Sequence, residues 1–331
     1  AAADAGADAI KFQTFKADTL VCKDTEKAAY QKRATGTQES QLEMLQKLEL
    51  NSQFFCELAC YAKSRGIDFL STPFDDSSVD LLARQIKVKY LKVPSGEITN
   101  APLLLKMARA QLPLIVSTGT ATPSEIEYAL GVIAFGYIST PHHNPGRKAF
   151  KKAFGSGRGK TTLQENVVLL HATTDYPTAP HDINLCAMDT LRDRFGLKVG
   201  LSDHSTGLAA AVAAVSRGAV MIEKHLTLDK NMDGPDHRAS LDPKEFEELV
   251  RWIREVEQVL GSPDKSPTKA ELKNIPIVRR SLVAKRAIKK GEKFTEHNLA
   301  AKRPGTGVSP AKFWDLLESK AKKDYREDEM V

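Results

Sequence analysis

Cysteine is scarce in this chain. There are four in 331 residues, Cys22, Cys56, Cys60 and Cys186, and none forms a C-x-x-C pair. No disulfide framework is indicated, and the chain reads as a protein of a reducing compartment, the cytoplasm. Cys56 and Cys60 sit four apart on an expected helix, as small core-facing residues. Long apolar runs are also absent; none approaches the ~20 residues that cross a bilayer. The N-terminus shows no basic region followed by an apolar one, so neither a secretory signal nor a membrane partner is expected. Aromatic residues make up only 7% of the chain. They do not interleave with the basic residues, which argues against nucleic acid as a partner. The net charge of +6 fits general solubility or the attraction of an anionic substrate. No internal repeat appears, and no glycine-rich first turn of a dinucleotide-binding sheet.

Present instead are seven apolar runs, each closing in a small polar motif. They end as Lys11-Phe12-Gln13, Ser71-Thr72-Pro73-Phe74, Lys92 to Glu97, Ser117-Thr118-Gly119, His171 to Pro177, Ser202-Asp203-His204-Ser205 and Glu223-Lys224-His225. Helical spacings separate the runs, and alternation of strand and helix argues a parallel sheet. In a parallel barrel the strand ends gather catalytic groups on one face. The fold expected is therefore α/β, a (β/α)8 TIM barrel lacking its first strand in this chain, because Ala1–Gly6 reads as the tail of a helix running into a strand. The barrel is expected over 1–262, a polar linker over 263–277, and a small β-rich domain over 278–331, near the size at which a lone core is marginal. Lys16–Thr37 reads as a polar loop. Residues 136–164 read as a mobile surface insertion holding Pro141-His142-His143-Asn144-Pro145-Gly146 and Gly155-Ser156-Gly157-Arg158-Gly159-Lys160. The second piece lacks the spacing of a phosphate loop.

His204 and His225 end adjacent expected strands, so both imidazoles can enter one pocket. Imidazole suits a divalent transition metal. Two histidines alone leave most of the shell to water and substrate, which points to an open Mn²⁺ or Mg²⁺ site rather than closed zinc. Taken singly, either could be a satisfied structural histidine. Lys11 and Lys92 at strand ends are costly to bury without a partner, and an anionic ligand would resolve this. Thr72, Ser95, Ser117 and Ser202 supply hydroxyls at four further strand ends, enough for a phosphate-plus-carboxylate cradle; each alone could be a turn or helix cap. Glu97 is a candidate pocket carboxylate or else half of a surface pair. Asp236 could hold a sugar hydroxyl or belong to a polar turn.

Together with Gly234-Pro235-Asp236-His237 and Lys302-Arg303-Pro304-Gly305, these motifs resemble the sialic acid synthase family, in which a (β/α)8 barrel precedes an antifreeze-like SAF domain. Glu39 to Leu42, Lys47 to Leu50, Thr227 to Met232, Asn274-Ile275 and Ser281 to Lys285 are most similar to the bacterial, legionaminic-acid-forming branch. The resemblance implies an enzyme that condenses phosphoenolpyruvate with an N-acetylated amino sugar. For this branch the sugar would be 2,4-diacetamido-2,4,6-trideoxymannose; N-acetylmannosamine or the pseudaminic precursor are alternatives, and an inactive carbohydrate-binding protein is the non-enzyme alternative. It implies that His204 and His225 bind a divalent metal, and that Lys11, Thr72, Lys92, Ser95, Ser117 and Ser202 hold phosphoenolpyruvate. Gln13, Glu97, Tyr176 and Asp236 would hold the sugar. Arg303 would reach it from the partner of a domain-swapped homodimer. Members using N-acetylmannosamine often carry Asn where this chain has Thr174, which favours the diacetamido sugar. The family's first strand carries a glutamate followed by Asn and His, and this chain starts after it.

Overall fold

Short apolar runs with polar ends make strands of three to six residues here, and capped amphipathic stretches between them make helices. In the computed structural model, which describes residues 1–140 and 142–331, the chain divides into two units, Ala1–Gly261 and Ser262–Val331.

The first unit opens with β1 (Ala9–Thr14). Four helices follow, α1 (Ala17–Leu20), α2 (Ala29–Thr35), α3 (Gln41–Leu48) and α4 (Ser52–Ser64). Strand and helix then alternate as β2 (Asp68–Pro73), α5 (Asp76–Asp80), β3 (Leu91–Val93), α6 (Ala101–Arg109) and β4 (Leu114–Ser117). Next come α7 (Pro123–Ile138), α8 (Arg147–Gly155), α9 (Gly157–Asn166) and β5 (Val167–Ala172). The unit closes with α10 (Ala187–Phe195), β6 (Lys198–Asp203), α11 (Ala209–Ser216), β7 (Ile222–Lys224) and α12 (Pro243–Leu260). Thr122 and Glu125 start α7 with a capping box: Thr122 Oγ1 accepts from Glu125 N, and the Glu125 carboxylate accepts from Thr122 N. Such a cap contributes about 1 kcal/mol.

All pairings in this unit are parallel. β3 through β7 form one curled sheet in sequence order, and β1 pairs with β2. Lys89 joins Asp68 at 2.6 Å between the start of β2 and the approach to β3. Side chains alternate across a strand, and this sorts the core into two layers. Leu70, Ile115 and Leu170 form an inner cluster with Ala9, Val168 and Met221. Leu91, Val93, Leu114, Val116, Leu169, Val199 and Leu201 belong to the larger outer core beneath the helices. Counting two residues on from the inner set reaches Lys11, Thr72 and Ser117, one layer nearer the strand ends on the same interior face. Gly200 lies in the inner face of β6; a Cβ there would meet Met221 O at 2.2 Å.

Two expectations need correction. Residues 136–164 are not a loose surface insertion. α7 runs to Ile138, and α8 and α9 bury Phe150, Ala153 and Leu163 in the outer core. Phe150 packs edge-on against Phe135 and Tyr128. The spacing of Phe150, Ala153 and Phe154 is that of a helix face, and the neighbouring glycines and prolines obscured it. Pro141 of that stretch lies outside the described residues. The segment 16–37 is likewise not simply loop, since it contains α1 and α2 and buries Lys27 and Gln31.

The second unit contains α13 (Lys269–Val278), the antiparallel pair β8 (Ser281–Ala284) and β9 (Leu299–Lys302), and α14 (Phe313–Leu316). α13, capped by Thr268, occupies most of the expected linker and buries none of its residues. Ala284, Ile288, Phe294, Leu299 and Ala321 form the unit's own small core. Gly291, at φ +86°, makes a turn in a region that L side chains avoid.

Candidate active site

Alternation on β6 and β7 builds the site. Ser202 pairs in register with Glu223, and Asp203 with Lys224. Ser202, His204, Glu223 and His225 therefore share one face, while Asp203 and Lys224 take the other. On that other face Lys224 Nζ lies 2.7 Å from Asp203 Oδ2, with both side chains 1% exposed. Asp203 Oδ1 also accepts from the backbone N and the hydroxyl of Ser205. This closed pair fixes the turn that carries His204.

On the inner face the rings of His204 and His225 lie 5.6 Å apart, centroid to centroid. Tyr176 stacks on His204 at 4.2 Å and meets His225 edge-on at 5.7 Å. His204 Nδ1–H donates to Thr173 O at 2.7 Å, which leaves Nε2 unprotonated, 3.3 Å from Ser202 Oγ. Burial pushes both imidazoles below their usual range; His225 reaches about 3, with Lys11 and His204 adding to the effect. Both are neutral near pH 7, the form that ligates metal. Among the described residues no cluster of three or more His, Cys, Asp or Glu is placed to hold a metal. Two neutral imidazoles are the nitrogen donors that the site offers.

Beside the imidazoles lies a cationic cluster. Lys11 Nζ and Lys92 Nζ stand 3.8 Å and 3.9 Å from the two oxygens of Glu223, and Ser202 Oγ donates to that carboxylate at 2.7 Å. Lys92 Nζ also donates to Ser117 Oγ at 2.6 Å and to Val93 O. Burial alone would raise the Glu223 carboxyl, but Lys11 and then Lys92 overcome it and hold it at about 2. Burial lowers the Lys92 ammonium to about 8 against the opposing pull of Glu223. The partner of the two lysines is therefore internal, a residue that the reading of strand ends passed over. Its signal was present: Glu223 stands two places before His225, so it shares that residue's face. Two ammoniums around one carboxylate leave net positive charge for an anion. Thr72 Oγ1, buried at the end of β2, has no hydrogen-bond partner among the described residues, which suits a ligand oxygen.

The remaining candidates divide. Ser95 Oγ accepts from Gly119 N at 3.0 Å. A Cβ at Gly119 would meet Thr174 Oγ1 at 2.5 Å and Ser95 Oγ at 2.7 Å, so Ser95, Gly119 and Thr174 converge. Burial raises the Asp236 carboxyl above its usual range, against His237 and Lys11. Asp236 also adds to the burial that raises Tyr176. Gln13 follows Lys11 on the same face of β1 but is exposed. The Glu97 carboxylate is engaged by Asn100 Nδ2 at 2.6 Å, a local helix-start contact rather than a bond to the lysine cluster. Arg303 belongs to the second unit, where its Nε donates to Val278 O.

Residues 1–265 match the family model described as NeuB family, and residues 279–331 match the SAF domain. The chain is 47% identical over 330 residues to N,N'-diacetyllegionaminic acid synthase of Campylobacter jejuni, covering 100% of this chain and 91% of that protein. It is 44% identical to the protein of the same name from Legionella pneumophila, covering 97% and 83%. A solved N-acetylneuraminic acid synthetase from Leptospira borgpetersenii superposes with a TM-score of 0.64 at 31% identity, covering 83% of this chain and 81% of the other.

Proposed function

Because the chain belongs to the NeuB family, we propose that it condenses phosphoenolpyruvate with 2,4-diacetamido-2,4,6-trideoxymannose to give N,N'-diacetyllegionaminic acid and inorganic phosphate. The observation that carries this reading is the adjacency, on one strand-end face, of two neutral imidazoles and two ammoniums sharing a single carboxylate. Likeness across the whole chain to synthases of that name favours the diacetamido sugar.

Carbon 3 of phosphoenolpyruvate bonds to the aldehyde carbon of the open-chain sugar, whose oxygen takes a proton. Positive character at carbon 2 is met by water, which loses a proton as it adds. The resulting tetrahedral carbon collapses to the ketone and expels phosphate by C–O cleavage. Lys11 and Lys92 counter the substrate's phosphate and carboxylate, Thr72, Ser95 and Ser117 donate to their oxygens, and Ser202, whose proton goes to Glu223, completes the cradle. His204 and His225 would hold a divalent ion, Mn²⁺ or Mg²⁺, which would supply Lewis-acid polarisation of the aldehyde. Thr173 O keeps the His204 proton on Nδ1. Gln13, Glu97, Thr174, Tyr176 and Asp236 contact the sugar. Arg303 reaches it from the partner subunit of a homodimer, and the enzyme works in the cytoplasm. Among the described residues no helix is long and apolar enough to cross a membrane.

The test is phosphate release from phosphoenolpyruvate with Mn²⁺, with each sugar in turn and product mass as readout. Release with the diacetamido sugar and a product of legionaminic mass is the expected result. Preference for N-acetylmannosamine would overturn the assignment of the sugar, and release with neither would overturn the reaction.

A further inference from the structure

Beyond the residues assigned above, the stack of rings does not end at Tyr176. Tyr30, on α2, lies with its ring centroid 4.9 Å from that of Tyr176, tilted by 35°. The order is thus Tyr30, Tyr176, His204, from two half-buried rings to a buried imidazole.

α2 is too short to hold itself, yet it is firmly tied. Lys27, its side chain 1% exposed, lies 3.3 Å from Glu39 Oε1 and donates to Thr35 Oγ1 at 2.9 Å. Thr35 Oγ1 in turn donates to Gln31 O at 2.9 Å. Gln31 Oε1 accepts from Ala28 N at 2.9 Å and from Gln41 Nε2 at 3.3 Å. These bonds pin α2, while Tyr30 itself turns its ring to Tyr176. Tyr30 belongs to none of the hydrophobic clusters of the unit, so its place is not explained by core packing. Burial and then the charge of Asp236 push its phenol up to about 12. The same carboxylate acts on Tyr176. Two aromatic rings therefore continue the row from the imidazole of His204, with the Asp236 carboxylate near enough for its charge to act on both phenols.

We propose that Tyr30 is a specificity-determining residue, its ring extending Tyr176 into an aromatic wall that packs against the methyl groups of the sugar. This rests on the reaction proposed above. A 2,4-diacetamido-6-deoxy sugar carries an acetamido methyl at carbon 4 and a methyl at carbon 6, where N-acetylmannosamine carries hydroxyls. Rings accept methyl groups and leave hydroxyls unpaired. One methyl group in such a pocket is worth about 10- to 200-fold in kcat/KM. Asp236 can accept from a hydroxyl or amide N–H at the edge of the wall.

The experiment compares Tyr30→Ala and Tyr30→Phe with the wild-type, full-length enzyme in Mn²⁺. It reads kcat/KM for the diacetamido sugar and for N-acetylmannosamine, and the KM for phosphoenolpyruvate. Tyr30→Ala is expected to lower the ratio of the two sugar values by about tenfold or more with the phosphoenolpyruvate KM unchanged. Tyr30→Phe, which keeps the ring, is expected to keep the ratio. An unchanged ratio in Tyr30→Ala would overturn the inference. So would an equal loss in Tyr30→Phe, or a parallel rise in the phosphoenolpyruvate KM, which would mark a merely structural role for α2. Failure of the wild-type enzyme to use the diacetamido sugar would overturn the proposed reaction instead.

Discussion

The two ends of the pocket treat burial in opposite ways. At one end burial holds His204 and His225 in the neutral form, with His225 near 3. At the other, Lys11 and Lys92 stand about a buried Glu223 held near 2, and the cluster remains charged. A third arrangement lies on the opposite face of the same strands, where Lys224 and Asp203 pair one to one at 2.7 Å. That pair is complete and has nothing left for a ligand. The inner cluster shares one carboxylate between two ammoniums at 3.8 Å and 3.9 Å and so retains a demand for negative charge.

The comparison can be broken at three points. The largest effect is expected at the imidazole end. Loss of Lewis-acid assistance is worth several kcal/mol, so His204→Ala or His225→Ala should lower metal-dependent phosphate release by about a thousandfold or more. Full retained activity would remove the metal assignment. Next in size is the closed pair. Asp203→Ala leaves Lys224 buried and unpaired, and denaturant unfolding should show a loss of about 3–5 kcal/mol; a change near zero would mean that the pair does not support the turn. The smallest effect concerns pH at the ammonium end. Free Lys92 loses its proton as pH rises through about 8, so kcat/KM for phosphoenolpyruvate should fall about tenfold per unit above that point. Lys92→Arg, which stays charged, should lack this fall. The depressed value also means that the unfolded chain binds more protons between pH 8 and 10.5. This residue's share of stability therefore rises with pH across that window.

Much of this was legible in the sequence because period-2 alternation is local. A polar motif after an apolar run places its residues on known faces, and His204, His225, Lys92, Ser117 and Ser202 follow from it. The second unit was legible as a small β-rich domain, and it contains the β8–β9 pair. Glu223 was missed because its role depends on two lysines from distant strands, although its face was readable from His225. Tyr30 carried no usable signal. α2 is seven residues long, and what places the ring is a set of side-chain bonds from Lys27, Gln31 and Thr35. α8 and α9 were masked by glycine, which here permits close approach rather than a loop: a Cβ on Gly159 would meet Ala153 O at 2.0 Å. The lysine cluster was expected to need a ligand to neutralise it, and Glu223 does part of that work.

The central claim is that the two ends bind different things. The direct measurement is binding of Mn²⁺ and of phosphoenolpyruvate, each titrated separately, to His225→Ala and Lys92→Ala. His225→Ala should lose Mn²⁺ and keep phosphoenolpyruvate, and Lys92→Ala should do the reverse. Retained Mn²⁺ binding in His225→Ala, or loss of both ligands in both variants, would contradict the account.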